Sequence, residues 1–230
     1  MAATSTEGTI ELGVSQGVLG ALGEGFLEGF CIGHPGIHIN HREANDVQVD
    51  MDLRLGDCAL ELVVAPYQRD IRVQELYCCP MCLWMRVDDP LAEKDLIRIE
   101  DLAGRDIAMP GVGFKSRDRL LRAAGEKDVE LGTVFQMSEA FRLYQFAASG
   151  RGLSFTLRHL RENPVFSQGG LVTSVPVELV SWSFGIACMA GHELTAAEQA
   201  FWDWCVEYGA KLPRDACCNK GLHGICTRIP

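Results

Sequence analysis

Apolar and polar positions follow two periods along the chain, which predicts strands that alternate with helices. "TIELGVS" alternates up to about Val14, and the apolar residues after it recur at helical spacing, so we expect a strand and then one helix from about Gln16 to Cys31. "IHIN" reads as the next strand. The segment Asp46 to Leu55 fits both periods, but Asn45 or Asp46 as N-cap and Gly56 as C-cap favour a helix.

A similar order recurs later in the chain. "CALELVVAP" predicts a strand ended by Pro66, and Met81 to Val87 predicts a central strand that begins after Pro80. Further expected elements are a strand at Asp106 to Met109, a helix from Ser116 to Ala124 closed by Gly125, a strand near Val129 to Phe135, a helix from Ser138 to Ser149 closed by Gly150, and strands at Leu153 to Leu157, near Leu171 to Val175 and at Ser181 to Met189. The capping box "TAAE" then opens a helix ended by Pro213, with Phe201 and Cys205 on its apolar face.

These two series of similar size predict an α/β fold of two lobes with parallel sheets and right-handed crossovers. Ligands of such sheets lie beyond the carboxyl ends of the strands. The loops that begin at Ser15, Ala65, Pro110, Met137 and Thr156 are therefore the candidate ligand loops.

Glycines interrupt the first predicted helix at Gly20, Gly23, Gly25 and Gly29. Each costs roughly 1 kcal/mol relative to alanine inside a helix, so packing must offset the loss. Close approach of another helix, in one interpretation from a second subunit, would provide that packing.

Composition narrows the class of protein. The 230 residues are 47% hydrophobic and 23% charged, which is typical of a globular chain, and the formal charge of −10 without a basic stripe opposes DNA binding by this chain. We expect no membrane span and no signal peptide, and therefore a cytoplasmic protein whose ten cysteines stay reduced.

Two cysteine clusters raise the question of a metal or redox site. Cys79 and Cys82 have the spacing of such sites, but Cys82 falls inside a predicted strand and not at a helix N-terminus, which favours an apolar strand. The tail offers Cys217, Cys218, His223 and Cys226, either as zinc ligands or as a loose tail. We predict no metal and no cofactor.

The loop "PGVGFKS", Pro110 to Ser116, links a strand to a helix and can offer backbone N–H groups to a small anion. It lacks the full dinucleotide fingerprint and the Walker lysine. Gly-x-Ser-x-Gly and His-Glu-x-x-His are absent from the sequence, and the six histidines read as surface or structural residues. We therefore expect no enzymatic activity.

The order of several motifs resembles the effector-binding domain of LysR-type transcriptional regulators. The motifs are "HPGIHI", "LRLGDCALELVVAP", "DDPLA", "IRIEDLAGRDIAMP" and "VFQMSEAFRLYQFAASGRGLSFTL", within a resemblance that runs from about Thr9 to Leu212. It implies the type 2 periplasmic binding protein fold, in which two Rossmann-like α/β lobes are joined by two crossover strands. Lobe I would comprise residues 9–86 and 184–212, lobe II residues 87–183, and residues 213–230 would form a tail.

The resemblance also implies a small-molecule effector, often anionic, in a cleft between the lobes. It further implies a homodimer or higher homo-oligomer that pairs through first-lobe helices. Transferred by position, the effector-binding residues are Ser15, Gln16, Ala65, Pro66, Tyr67, Pro110, Gly111, Val112, Met137, Ser138, Phe155 and Thr156. Hydroxyl groups and helix N-termini suit a carboxylate, and Tyr67, Met137 and Phe155 suit an apolar body.

The chain departs from the family pattern at three points. Ala59 stands where the family has an acidic residue, Asp89 replaces the usual histidine before "PLA", and the first strand begins at about residue 9, which leaves no room for the winged helix-turn-helix. We expect a sensor module of such a regulator, with DNA contacted only through an absent domain. A free-standing solute-binding protein of the same fold is the alternative, and transferases of this fold would need a cofactor-bearing Cys loop or a catalytic threonine motif that the sequence lacks.

Overall fold

A computed structural model describes residues 6–167 and 169–212, which form two compact units. The first unit contains residues 6–78 and 183–212, and the second contains residues 79–182. The elements are β1 (Gly8–Ser15), α1 (Val18–Leu22), α2 (Phe26–Gly33), β2 (Ile37–Ala44), α3 (Asp46–Leu55), β3 (Leu60–Val64), β4 (Ile71–Arg86), β5 (Ile107–Met109), α4 (Lys115–Glu126), β6 (Val134–Gln136), α5 (Ala140–Ala148), β7 (Leu153–Leu157), α6 (His159–Glu162), α7 (Pro164–Ser167), β8 (Val172–Met189) and α8 (Ala196–Gly209), with short 3-10 helices at Pro90–Glu93 and Ile99–Leu102. No helix in the described ranges is long and apolar enough to cross a membrane.

The sheet of the first unit has β1 between β2 and β3, and both pairings are parallel. β1 and β2 stay in register over eight residues, from Gly8 opposite Ile37 to Ser15 opposite Ala44. β8 pairs with β3 in the antiparallel direction. The expectation of purely parallel sheets is therefore wrong, because the returning strand β8 runs against the strand beside it.

The second unit repeats this arrangement. β5 lies between β6 and β7 and is parallel to both, while β4 pairs with β7 in the antiparallel direction from Met81 opposite Leu157 to Trp84 opposite Ser154. Trp84 and Phe146 are buried in its core. The predicted β-α order is thus confirmed, and each unit has one antiparallel strand added to a parallel set.

The predicted single helix from Gln16 to Cys31 is wrong, since the structure has two short helices there. Gly23 and Gly25 separate them, and both have a φ of 85°, a left-handed conformation that a helix interior cannot contain. The close helix contact expected from the glycines occurs inside the chain: a Cβ placed on Gly29 would lie 3.2 Å from the ring of Trp204 in α8.

Three predicted strand boundaries also need correction. β4 does not start after Pro80 but begins at Ile71 and runs through the proline. Its pairing with β7 begins at Met81, so the missing N–H of Pro80 falls outside that pairing. β8 is one strand of 18 residues where two were expected, with Leu179 at a φ of 61° inside it. β6 covers only three residues, and α4 continues through Gly125 to Glu126.

Helix α3 has the predicted ends, with the Asn45 side chain accepting a hydrogen bond from the Gln48 backbone N–H and Gly56 in the left-handed C-cap conformation. Its apolar residues divide between two faces, however. Val49 and Leu53 pack on Val63 and Ala187, whereas the other three apolar residues, Val47, Met51 and Leu55, are exposed.

The three acidic residues of α3 are buried together with Val49 and Leu53. Asp46, Asp50 and Asp52 are all buried. Asp52 lies 3.3 Å from Nε of Arg42 and accepts a hydrogen bond of 2.7 Å from Gln48, and Asp50 accepts one of 2.8 Å from Gln68. Because a buried carboxylate is tolerated when it is paired, these bonds explain how the helix can turn its charges inward.

The last described helix, α8, closes the core of the first unit. Its predicted capping box forms, since Thr195 Oγ1 accepts from the Glu198 backbone N–H and the Glu198 carboxylate accepts from the Thr195 backbone N–H. Phe201 and Cys205 are buried as expected, and the ring of Phe201 lies edge-on to Phe30 with centroids 5.0 Å apart. α8 ends at Gly209, and Pro213 lies outside the described residues.

Candidate functional site

In the first unit, the carboxyl ends of β1 and β3 lie at the same edge because the two strands are parallel neighbours. Ser15 is the last residue of β1, is fully buried, and its Oγ has no hydrogen-bond partner. Gln16, the next predicted residue, is exposed and donates its backbone N–H to the Ala44 carbonyl at 3.0 Å. The end of β1 therefore combines a rigid backbone with a hydroxyl whose hydrogen-bonding capacity is unused.

The loop after β3 carries the next predicted group. Ala65 is buried and donates its backbone N–H to the Ser183 carbonyl at 2.9 Å, and the Ala65–Pro66 peptide bond is cis. Tyr67 is partly buried and packs against the apolar cluster of Val49, Leu53, Val63 and Ala187. Its ring thus supports the helix α3 side of the sheet.

In the second unit, the structure brings the loop after β5 beside the loop after β6. Met137 donates its backbone N–H to the Met109 carbonyl at 2.9 Å, and a Cβ on Gly111 would lie 3.5 Å from Oε1 of Gln136. Val112 and Ser138 are exposed, while Met137 packs against the core cluster around Trp84. The predicted residues 110–112 and 137–138 therefore form one contiguous group.

The two predicted residues of β7 lie on opposite faces of the strand. Phe155 and Thr156 are both buried, and because successive side chains of a strand point to opposite faces, they lie on different sides of the sheet. Phe155 belongs to the core with none of its surface exposed. Thr156 carries the polar group, and its Oγ1 has no hydrogen-bond partner.

Two further residues of the second unit were not singled out from sequence. Lys115 is the first residue of α4 and is only 9% exposed, and Ser116 beside it is also buried. Both residues lie within the predicted loop "PGVGFKS", but their burial depends on tertiary packing that the sequence does not reveal.

His159 is the second of these residues. Both ring nitrogens are buried and neither has a hydrogen-bond partner, and burial lowers the pKa of the imidazole to about 4. Its ring lies beside the indole of Trp182, with centroids 5.9 Å apart. Sequence alone offers no signal that distinguishes this histidine from an exposed one.

The cysteines of "YCCPMC" lie within β4. Cys79 and Cys82 are both buried. Three residues apart on a strand, their side chains point to opposite faces, which prevents both from binding one ion. Among the described residues no group of three or more His, Cys, Asp or Glu is placed to hold a metal, and the cysteines of the tail lie outside the described residues.

Comparison with known proteins places the chain in a family. A family model described as the LysR substrate binding domain matches residues 3–210. No curated protein matches the chain.

Solved structures with the same fold share little sequence with the chain. The regulatory domain of CcmR from Synechocystis PCC6803, solved with 2-PG, is 21% identical with a TM-score of 0.77, and the match covers 90% of this chain and 100% of that one. The effector binding domain of QuiR, solved with shikimate, is 17% identical with a TM-score of 0.72, covering 90% and 99%. HinK, a LysR family regulator from Pseudomonas aeruginosa, is 18% identical with a TM-score of 0.75, covering 92% and 73%. These likenesses establish the type 2 periplasmic-binding-protein-like fold, and the match over residues 3–210 shows that the chain belongs to the LysR substrate-binding domain family.

Proposed function

We propose that this chain is a small-molecule sensor of a LysR-type regulator that binds a carboxylate or another small anion and catalyses no reaction. The twelve residues predicted from sequence are the proposed contacts. The alternative, a free-standing solute-binding protein, has no observation that favours it. We also propose that the protein acts in the cytoplasm.

The observation that carries this proposal is the position of the unused hydroxyl groups. Ser15 and Thr156 are both buried, and each has a side-chain oxygen without a hydrogen-bond partner. Folded proteins leave few buried polar groups unpaired, and each one costs about 1–3 kcal/mol. Both hydroxyls belong to the set predicted to hold a ligand, and each is a donor from which an anion bound at the end of its own strand would accept a hydrogen bond.

The second unit provides features that favour negative charge. The loop after β5 leads into α4, whose first turn contains the buried Lys115. The N–H groups of a helix N-terminus and a lysine ammonium both attract an anion. The proposed ligand therefore carries at least one carboxylate or similar group.

A thermal-shift and calorimetric screen of aromatic and aliphatic carboxylates tests the proposal. We expect at least one acid to stabilise the protein, and Ser15→Ala to weaken its binding roughly tenfold, since a hydrogen bond to a charged group contributes about 1.5–3 kcal/mol. Thr133→Ala removes an exposed hydroxyl and is the matched control. If no acid shifts the melting temperature, the anion-binding proposal fails; if Ser15→Ala binds like the wild type, Ser15 is not a contact.

We further propose that the chain forms a homodimer. The first-unit helices are the proposed contact, and Ile32 at the end of α2 is 83% exposed, which suits such a surface. Sedimentation equilibrium over a series of increasing concentrations tests this. A chain that stays monomeric up to its solubility limit contradicts the proposal.

A further inference from the structure

The end of β7 carries two buried polar side chains without partners, of which only one was expected. Thr156 lies within the strand, and His159 follows it three residues later as the first residue of α6. Oγ1 of Thr156 and both ring nitrogens of His159 are buried and lack hydrogen bonds. Three unsatisfied polar atoms within four residues are unusual for a folded protein.

The ring of His159 lies beside an aromatic side chain. The imidazole lies at an angle of 38° to the indole of Trp182, with ring centroids 5.9 Å apart. Burial is the cause of the low pKa of this histidine, so the ring is neutral near pH 7. A neutral imidazole offers one N–H donor and one nitrogen acceptor.

We propose that His159 is a specificity-determining ligand contact, and that the ligand is a hydroxycarboxylate. This inference rests on the proposed anion-binding function and narrows its ligand class. The carboxylate accepts from the Thr156 hydroxyl, and the ligand hydroxyl donates to the unprotonated nitrogen of His159. A simple carboxylate cannot satisfy that nitrogen, because an ionised carboxyl group has no hydrogen to donate.

The selectivity follows from the unprotonated nitrogen of His159, which stays without a hydrogen bond when the ligand has no hydroxyl group. A site built to bind a ligand hydroxyl discriminates against the analogue that lacks it, because the buried partner is then left without a hydrogen bond. Trp182 contributes an apolar surface beside the imidazole, and this surface does not distinguish the two ligands. The hydroxyl preference should therefore depend on His159 alone.

Pairs of acids that differ by one hydroxyl group test the inference. The probes are lactate against propionate and 2-hydroxybenzoate against benzoate, measured by calorimetry on the whole chain. We expect the wild type to bind one hydroxy acid at least about tenfold more tightly than its partner acid. His159→Phe should reduce that ratio to about one, mainly by weakening the binding of the hydroxy acid.

Two further measurements separate a ligand contact from a structural role. The ring nitrogen shifts of His159 in a long-range ¹H–¹⁵N spectrum should move when the hydroxy acid is added and stay in place with the other acid. His159→Asn, which keeps a hydrogen-bonding group, should retain part of the preference and provides a second variant if His159→Phe does not fold. His38→Phe, at an exposed position of β2, is the control.

The outcomes are distinguishable. A wild type that binds neither acid of either pair, nor any other carboxylate, overturns the proposed function and this inference with it. Binding without a hydroxyl preference, or a preference that persists in His159→Phe, overturns only the role of His159.

Discussion

Nε2 of His192 lies 2.9 Å from Oε2 of Glu198, and the same oxygen accepts the Thr195 backbone N–H at 2.8 Å. The loop before α8 is thus held to the first turn of the helix by one buried carboxylate. Burial opposes the ionisation of Glu198, but the hydrogen bonds from Thr195 and His192 outweigh it and lower the pKa of the carboxyl group.

Glu198→Ala should lower the free energy of unfolding by about 1 kcal/mol at neutral pH, through loss of the capping box. Because the folded-state pKa lies below the ordinary value of 4.5, this contribution is present above pH 4.5 and is lost as the pH falls through the folded-state pKa. Urea unfolding at neutral and acidic pH measures both effects. Glu207→Ala, exposed near the end of the same helix, is the control, and equal losses in the two variants would contradict the prediction.

Two leucines of α3 differ in burial, so their replacement by alanine should lower the free energy of unfolding by different amounts. Leu53 is 2% exposed and Leu55 is 70% exposed. Leu53→Ala should cost about 2–5 kcal/mol, as is usual for a buried leucine, and Leu55→Ala less than about 0.5 kcal/mol. Chemical denaturation of both variants checks this, and a larger loss for Leu55→Ala would show that the helix faces are assigned the wrong way round.

Two glycines of α2 differ in the space around them. A methyl group on Gly29 would lie 3.2 Å from Trp204, whereas one on Gly33 would meet no atom within 4 Å. Gly29→Ala should therefore destabilise the first unit by about 1–3 kcal/mol, because the extra methyl overpacks the contact with α8. Gly33→Ala should be neutral or stabilise by up to about 1 kcal/mol. Thermal unfolding of the two variants measures both effects, and equal melting temperatures would contradict the close contact between Gly29 and Trp204.

His159 makes the stability of the protein depend on pH. Its pKa falls from 6.5 in the unfolded chain to about 4 in the folded one, so the unfolded state binds the proton more readily between these values. Stability should therefore decrease as the pH falls from 6.5 to 4, by on the order of 1 kcal/mol for each pH unit.

The difference in unfolding free energy between the wild type and His159→Phe, measured across that range, isolates this effect. His38→Phe, at an exposed position of β2, is the control for the loss of an imidazole. A His159→Phe variant with the same slope as the wild type would contradict the assigned burial of the imidazole.

Cap residues predicted both ends of α3 and the start of α8. Asn45 and Gly56 limit α3, and Thr195 and Glu198 start α8, because caps satisfy backbone groups that no distant residue supplies. The break at Gly23 and Gly25 was missed, since apolar spacing continues across it and only the backbone angles reveal the change of direction.

The faces of α3 could not be read from periodicity. Val47, Met51 and Leu55 recur at helical spacing as regularly as Val49 and Leu53 do, and the choice between them depends on Arg42 and Gln68, which are distant in sequence and pair with the aspartates. For the candidate site, position along the strands suggested Ser15 and Thr156, whereas the burial of Lys115 and His159 depends on tertiary packing.

The passage of β4 and β8 from one unit to the other also determines the order in which the units can fold. During synthesis, every residue of the second unit up to Trp182 has been made before β3 of the first unit can pair with β8, which provides Phe184 to Ala187. Domains generally fold as units on the growing chain. The second unit can therefore fold on the ribosome before the first unit, because the end of β8 and helix α8, which complete the first unit, are synthesised last of the described elements.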